Sequence, residues 1–426
     1  MNTTPLLTVF MCSSIVAVLF MYQIPPYMDE PFHFYQCMRY AQLDFTWDNK
    51  ITTFPGLYIF SSPLLLVIRS FISSFPLLLT ISRLTNALVS YYCFTLLLKF
   101  PSDIRLSFIL FPFHFFYTHF FYTDSGSLIF LTLFFLQSRG SPRPTASMLV
   151  SAVLAILFRQ TNILYISAIL VLRYFHLLQN WITTSTSILS FLRSSVYLVR
   201  YFVFLLPLYI GFGCFLILND FSLVLGDKSA HELVFHPAMI VYFSFFSIYL
   251  FPEIFKYIRI SVYSTKQVFL YIATFVLVYA LFVWFLDSKI SHPYLISDNR
   301  HYLFYFYKNV ILAYSGYVLA LVPAVVFSTL LFTTYSVLHL EGVVFLLLLL
   351  IPLILTPLFE VRYFVPPILL LLLLFNDQTI ISNQSDVCYL SLLRVVTCFV
   401  INSFTFISFV FPFKTDENGE FIRFVW

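Results

Sequence analysis

Apolar residues in this chain fall into long blocks, separated by short clusters of charged and turn-forming residues. A membrane-crossing helix needs about 20 mostly apolar residues at 1.5 Å rise, and such stretches recur along the whole length. The ~10-residue apolar/polar alternation of a membrane barrel strand is absent, so the blocks predict helices. The predicted spans begin with span 1 at Leu6–Ile24, followed by a loop over Pro25–Phe54 and an apolar stretch over Pro55–Phe75. Spans 2 to 5 lie at Leu77–Leu98, Leu106–Tyr122, Ser127–Gln137 and Ala146–Phe158. Spans 6 to 9 lie at Ile163–Leu178, Val199–Leu218, His236–Phe255 and Val268–Leu286. Spans 10 to 12 lie at Val310–Phe332, Gly342–Leu358 and Phe364–Phe375, and a last one at Leu390–Phe411 precedes a tail, 412–426. The first block lacks a basic leader and a small-residue cleavage site, so a retained span is expected rather than a cleaved signal.

Composition agrees with the pattern. The chain has 426 residues, is 60% hydrophobic and only 10% charged, with a mean hydropathy of +0.91, whereas a soluble domain carries about 25% charged residues. Too few polar side chains remain to cover a soluble surface. The fold class expected is an all-α polytopic membrane protein forming one integral-membrane domain over 1–426. A net charge of +4, scattered along the chain, does not suit nucleic-acid binding. The six cysteines, at 12, 37, 93, 214, 388 and 398, form no CxxC or metal-type spacing and are expected as buried free thiols. No resident cofactor is expected, and the sequence singles out no metal-ligating residues.

Positive charge in short loops sets orientation. Lys99 and Arg105, Arg139 and Arg143, Arg193 and Arg200, and Lys256, Arg259 and Lys266 fall in alternate loops, predicted cytoplasmic. The opposite loops hold Asp29, Glu30, Asp44, Asp48, Asp124, Asp227, Glu232, Asp298 and Glu360. Alternation survives only if Pro55–Phe75 does not cross, which makes 25–76 a first loop with juxtamembrane segments. Five cations sit on the acidic side against the rule: Arg83, Arg159, Lys228, Arg300 and Arg362. Cations placed there call for anionic partners.

Five polar clusters on that side carry the candidate chemistry. In "YMDEPFHFYQ", 27–36, Pro31 predicts a helix start with Glu30 as its cap. Asp29, His33, Gln36 and Tyr40 then share a polar face turned to water or a cavity, and Phe34, Met38 and Phe45 form an apolar stripe. The acids either cap the helix or supply a general base. "FRQTN", 158–162, is either a tight loop or a site where Arg159 and Gln160 donate to a phosphate or sugar. "GDKSAHELVFH", 226–236, is either a solvated hairpin loop or a substrate contact through Asp227, Lys228 and His231; it contains no HExxH. "SDNRHY", 297–302, packs a carboxylate, an amide, a guanidinium and an imidazole together, and is either an ordinary loop between spans or a site where Arg300 forks onto a phosphate with His301 donating to another oxygen. "EVRYF", 360–364, offers either a Glu360–Arg362 ion pair or a further phosphate contact. Walker, GxGxxG, GxSxG and DxD motifs are all missing. A nucleotide sugar held through Mg²⁺ is therefore a poor donor candidate, and a lipid phosphate presented from the bilayer fits better.

Taken in order, "PYMDEPFHFYQCMRY", "WDNKITTFPGLYIFSS", "RLTNAL", "FRQTN", "GDKSAHE…H", "HPYLISDNRHYLFY" and "EVRYFVPP" resemble the endoplasmic-reticulum α-1,2-glucosyltransferase family that adds the last glucose to the lipid-linked N-glycan precursor. The resemblance covers about 6 to 375. It implies a GT-C-type bundle of roughly 12–13 transmembrane helices, with an acidic motif in the first lumenal loop. It implies dolichyl-phosphate glucose as donor and dolichyl-diphosphate-linked Glc2Man9GlcNAc2 as acceptor, in the endoplasmic-reticulum membrane with the site facing the lumen. A β donor and an α product imply inversion with one general base, not a glycosidase carboxylate pair. Asp29 matches the base position, with Glu30 orienting it or binding the acceptor. Arg300 and His301 match the donor-phosphate block, with Arg362 as a further contact. His33, Gln36, Arg159, Gln160, Asn162, Asp227, Lys228, His231, Asp298 and Asn299 are the implied substrate contacts. The chain departs from the family where "FHFYQCMRY" replaces a pattern close to "FHIPQAQRY" and where "PAM" follows His236 in place of "FPQ"; the acid pair and "NRH" are kept. A transferase for another dolichyl-phosphate sugar is one alternative. A polytopic transporter is another, although the polar clusters lie at one face and no repeat is visible.

Overall fold

The computed structural model describes residues 14–97, 100–140, 143–184, 188–228, 232–260, 264–287, 300–356, 358–376, 388–415 and 421–426. Apart from one two-residue ladder, the described residues form helices, turns and loops, as expected for an all-α polytopic membrane protein. The chain divides into two compact units, 2–96 with 117–230, and 97–116 with 231–426.

In the first unit, α1 (14–20) leads through a turn to α2 (Glu30–Tyr40), α3 (Gly56–Arg69) and α4 (Phe75–Leu96). It continues with α7 (Asp124–Gly140), α8 (Ala146–Phe158), α9 (Asn162–Thr184) and α10 (Ile188–Leu218). Between α4 and α7 lie α5 (Ser102–Leu110), in the second unit, and α6 (Pro112–Thr118), whose residues divide between the two. α7 packs along α4, α8 and α9, while α2 packs on α3. The 14 residues of α3 reach only about 21 Å, short of the ~30 Å hydrocarbon core. Phe34, Cys37, Leu57, Tyr58, Leu65, Leu78, Leu79, Phe121 and Phe158 form one core beneath the first loop. Each large side chain buried from water there contributes about 1.5–3 kcal/mol.

The second unit holds α5, α11 (Ala238–Phe246), α12 (Phe251–Ile260), α13 (Thr265–Asp287), α14 (Tyr302–Phe306), α15 (Gly316–Ile354), α16 (Val365–Phe375) and α17 (Cys388–Val410). A 3₁₀ turn, Ser247–Leu250, joins α11 to α12, and another, Val361–Phe364, opens α16. α15 packs on α11 and α13, and α17 on α5. β1 (Lys414–Thr415) pairs antiparallel with β2 (Phe421–Ile422), with Lys414 opposite Ile422. A buried pair, Arg394 to Glu253, ties α17 to α12 at 2.6 Å, and Arg394 Nε also donates to Ser107 Oγ at 3.0 Å.

Among the described residues, five helical stretches are long and apolar enough to cross a membrane: Val199–Leu218, Ala238–Phe255, Thr265–Asp287, Gly316–Ile354 and Tyr389–Val410. Their outer faces carry exposed Phe202, Ile210, Phe269, Leu277 and Trp284, which lipid can cover at no hydrophobic cost. Several predicted boundaries move. The expected span Leu106–Tyr122 is cut at Phe111–Pro112 into α5 and α6, because proline supplies no N–H to continue the helix. The expected spans at Val310–Phe332 and Gly342–Leu358 instead meet as α15, broken at His339 (φ 51°, ψ −145°). α11 begins at Ala238, which leaves His236 in the extended segment before it, its N–H donating to the Ile354 carbonyl at 2.7 Å. Cys37, Cys93 and Cys398 are buried free thiols, but Cys214 is exposed, contrary to expectation.

Candidate active site

The acid pair sits at the start of α2. The helix begins one residue earlier than expected, with Asp29 as N-cap and Glu30 as its first residue, and the Asp29 side chain makes no capping bond. Met28 just before it adopts φ 57°, a left-handed conformation that costs about 1–3 kcal/mol in a non-glycine residue and needs surrounding structure to hold it. That structure is visible. The Asp29 N–H donates to Tyr122 Oη at 3.1 Å, and the Tyr122 hydroxyl donates to the Tyr27 carbonyl at 3.2 Å.

Glu30 is fully buried against Arg83, itself fully buried in α4. Arg83 Nε donates to Oε1 at 3.0 Å and Nη2 to Oε2 at 2.7 Å, a bidentate fork. The Phe121 N–H adds a bond to Oε1 at 2.9 Å and the Tyr27 N–H one to Oε2 at 3.2 Å. Arg83 also donates to the carbonyls of Met21, Ile24 and Pro25 at 2.9, 3.0 and 3.2 Å. One ion pair thus holds the end of the first predicted span, the loop after it, α4 and the turn before α7. The expectation that Glu30 binds acceptor is corrected: each of its oxygens already accepts two bonds and no surface reaches water. The role of orienting Asp29 remains.

The middle of the polar face of α2, His33 and Gln36, turns into protein, while Asp29 and Tyr40 at its ends stay half-exposed. His33 is buried with Nδ1 at 2.6 Å from Tyr58 Oη and its ring edge-on to Tyr122, 5.7 Å between centroids. Gln36 donates to the Thr46 carbonyl at 2.8 Å and accepts from the Asp48 N–H at 3.1 Å. Both amide ends of Gln36 fold the loop, so its expected substrate contact gives way to a framing role. Phe45, expected in the apolar stripe, instead lies beyond the end of α2 and is exposed.

"FRQTN" frames the same region. Arg159 pairs with Asp124 at 3.0 Å. Gln160 donates to the Thr52 carbonyl at 2.7 Å, and Asn162 to Ser127 Oγ and the Ala155 carbonyl, each at 2.7 Å. Gln160 and Asn162 are buried, so these amides hold α8, α9 and the first loop together instead of reaching a sugar. The loop after α10 closes on the first loop too: the N–H groups of Leu225 and Asp227 donate to the carbonyls of Thr52 and Asn49 at 3.1 and 2.7 Å. Lys228 meets Asp220 at 3.1 Å at the surface. His231 lies outside the described residues.

The "SDNRHY" block belongs to the second unit. Its Asp298 and Asn299 lie outside the described residues; Arg300 is half-buried and His301 buried at the start of α14. Arg362 donates through Nε and Nη2 to Oε2 of Glu360 at 3.0 and 2.6 Å, the structural ion pair of the two readings. Nε and Nη2 are engaged by that carboxylate, as Arg159 and Lys228 are engaged by theirs. Burial of His236 pushes its imidazole down to about 4, so the ring is neutral at pH 7. Of the five cations placed against the orientation rule, Arg83, Arg159, Lys228 and Arg362 each have a carboxylate partner within the chain. Sequence reasoning did not select Tyr122 or Tyr58. An aromatic-rich chain gives single tyrosines no distinguishing signal.

No solved structure matches the chain. Curated relatives do. A Homo sapiens protein named Dol-P-Glc:Glc(2)Man(9)GlcNAc(2)-PP-Dol alpha-1,2-glucosyltransferase is 28% identical, over 94% of this chain and 93% of its own length. Proteins of the same name from Arabidopsis thaliana and Mus musculus are 28% and 30% identical, covering 94% and 71% of this chain and 95% and 73% of their own lengths. The family model described as DIE2/ALG10 family matches residues 23–373, which take in every described polar cluster above. The chain belongs to the DIE2/ALG10 family.

Proposed function

We propose that this protein is an inverting glucosyltransferase of the endoplasmic-reticulum membrane. It transfers the terminal α-1,2-linked glucose from dolichyl-phosphate glucose to dolichyl-diphosphate-linked Glc2Man9GlcNAc2, at a site facing the lumen. The relatives' names supply the substrates, and the single observation that supports the chemistry is the mounting of Asp29. Its backbone is held on a left-handed Met28 by Tyr122 and by the Glu30–Arg83 latch, and its half-exposed side chain is not spent on capping α2.

Asp29 is the base. Its carboxylate takes the proton from the acceptor hydroxyl as the oxygen attacks the anomeric carbon. The bond from that carbon to the phosphate oxygen breaks, and dolichyl phosphate leaves with the electron pair. Arg300 and His301 stabilise the charge on the departing phosphate. His33, Arg159, Asp227, Lys228, His231, Asp298 and Asn299 stay with this reading as substrate contacts and Arg362 as a further donor-phosphate contact, and Glu30, Gln36, Gln160 and Asn162 serve as the frame.

Membranes containing the protein are incubated with dolichyl-phosphate glucose and a lipid-linked Glc2Man9GlcNAc2 acceptor. One added hexose is the expected product; none would overturn the reading. Asp29→Asn is expected to abolish transfer while leaving the protein folded, and undiminished transfer would remove Asp29 as base.

A further inference from the structure

The segment after the last predicted span carries no motif, yet it lies directly against the "NRH" block. The Val425 N–H donates to the Arg300 carbonyl at 2.9 Å, and the Tyr302 N–H donates to the Val425 carbonyl at 2.8 Å. The two bonds flank His301, which forms a parallel bridge with Val425. His301 Nδ1 lies 2.8 Å from the Trp426 main-chain oxygen. That main-chain oxygen only accepts, so Nδ1 carries a proton toward it, and the ring's rotation is set.

Aromatic packing clamps the same strand. Tyr302 stacks on Phe424 at 5.6 Å and meets Trp426 at 5.1 Å, while Trp426 lies edge-on to Phe113 at 4.9 Å. Arg423 anchors the other end, donating from Nη1 to the carbonyls of Phe409 and Val410 at 2.5 and 2.9 Å. Those are the last carbonyls of α17, which lack helical partners and favour a cation. The β1–β2 pairing turns the chain back from α17 toward Arg300.

We infer that Phe421–Trp426 is a strap that positions the donor-phosphate residues, with Val425 setting the Arg300–His301 backbone and the Trp426 main-chain oxygen setting the His301 imidazole. The inference rests on the donor role given to Arg300 and His301 above. Arg300 and His301 precede α14, His301 as its N-cap, and even with the π turn Tyr307–Ile311 that continues it the helix stays below the length that is stable by itself. The strap supplies the missing rigidity from outside the helix. It also puts the chain after α17 on the same side of the membrane as Arg300.

The test uses the full chain in lipid nanodiscs. Val425→Pro deletes the N–H that meets Arg300 and keeps the rings; Trp426→Ala, the milder variant, deletes the ring contacts and keeps the main-chain oxygen. The apparent KM for dolichyl-phosphate glucose is expected to rise roughly tenfold in Val425→Pro, the scale of one hydrogen bond lost at a site, and less in Trp426→Ala. Acceptor KM stays unchanged, and the Tyr302 amide exchanges faster in Val425→Pro. Unchanged donor KM in both variants, or equal rises for donor and acceptor, overturns the positioning role. Unchanged Tyr302 exchange overturns the strap itself. Absence of transfer by the wild-type protein is a different failure: it removes the Proposed function and the donor role with it, while the exchange measurement still decides whether the strap exists.

Discussion

Removing one half of the Glu30–Arg83 pair should damage the protein far more than removing both. Both side chains are fully buried, so solvent screens neither charge. Arg83→Met leaves a carboxylate that has lost two of its four bonds and keeps only the N–H groups of Phe121 and Tyr27. Glu30→Met leaves a guanidinium whose remaining partners are the carbonyls of Met21, Ile24 and Pro25. Breaking a buried pair from one side costs about 3–5 kcal/mol, because an uncompensated charge stays behind; replacing both partners with apolar residues of similar volume is often close to neutral. The double variant Glu30→Met/Arg83→Met should therefore be more stable than either single variant, with a coupling of about 2 kcal/mol or more. The assay is a double-mutant cycle in denaturant midpoints of the purified protein in mixed micelles. Additive effects would refute the reasoning, since they would mean that neither charge depends on the other. Transfer should still be reduced in the double variant, because the loop carrying Asp29 is then packed but no longer tied to α4.

Three further outcomes follow from single sites. Gly226→Ala should destabilise the protein by about 1–3 kcal/mol, because Gly226 has φ 60° and an added Cβ would run into the carbonyls of Asn49 and Ile51; thermal unfolding checks it, and a variant as stable as wild type would refute it. His236 titrates near 6.5 when unfolded and near 4 when folded. Between those values the unfolded chain binds the extra proton, so this group's contribution is full above about pH 6.5 and is lost as pH falls toward 4, by up to about 1.4 kcal/mol per unit. The wild type should lose more stability than His236→Phe between pH 6.5 and 5, and parallel pH curves would count against it. Asn162→Ala should cost about 1–3 kcal/mol by leaving the Ala155 carbonyl and Ser127 without their donor, with donor and acceptor KM unchanged; a selective rise in either KM would restore Asn162 as a substrate contact.

The membrane class and most helix positions were legible in the sequence. Ala146–Phe158 was predicted with the bounds it has, and Cys388–Val410 and Val365–Phe375 lie within two residues of their predicted ends. Lipid solvation demands contiguous apolar runs, which the chain displays residue by residue. The acid pair, the "NRH" block and the misplaced cations were legible for the same reason: polar residues stand out where nearly everything else is apolar. Which of them touch one another was not. Glu30 finds Arg83 53 residues away, Gln160 finds a carbonyl 108 residues back, and His301 finds Trp426 125 residues on. Periodicity reports only which face of its own helix a residue occupies. Whether that face meets water, a sugar or a buried partner depends on how distant helices pack, and a hydrogen bond requires placement to a few tenths of an ångström. Tertiary structure alone therefore separated Asp29, at the rim of the frame, from Glu30, which is the frame.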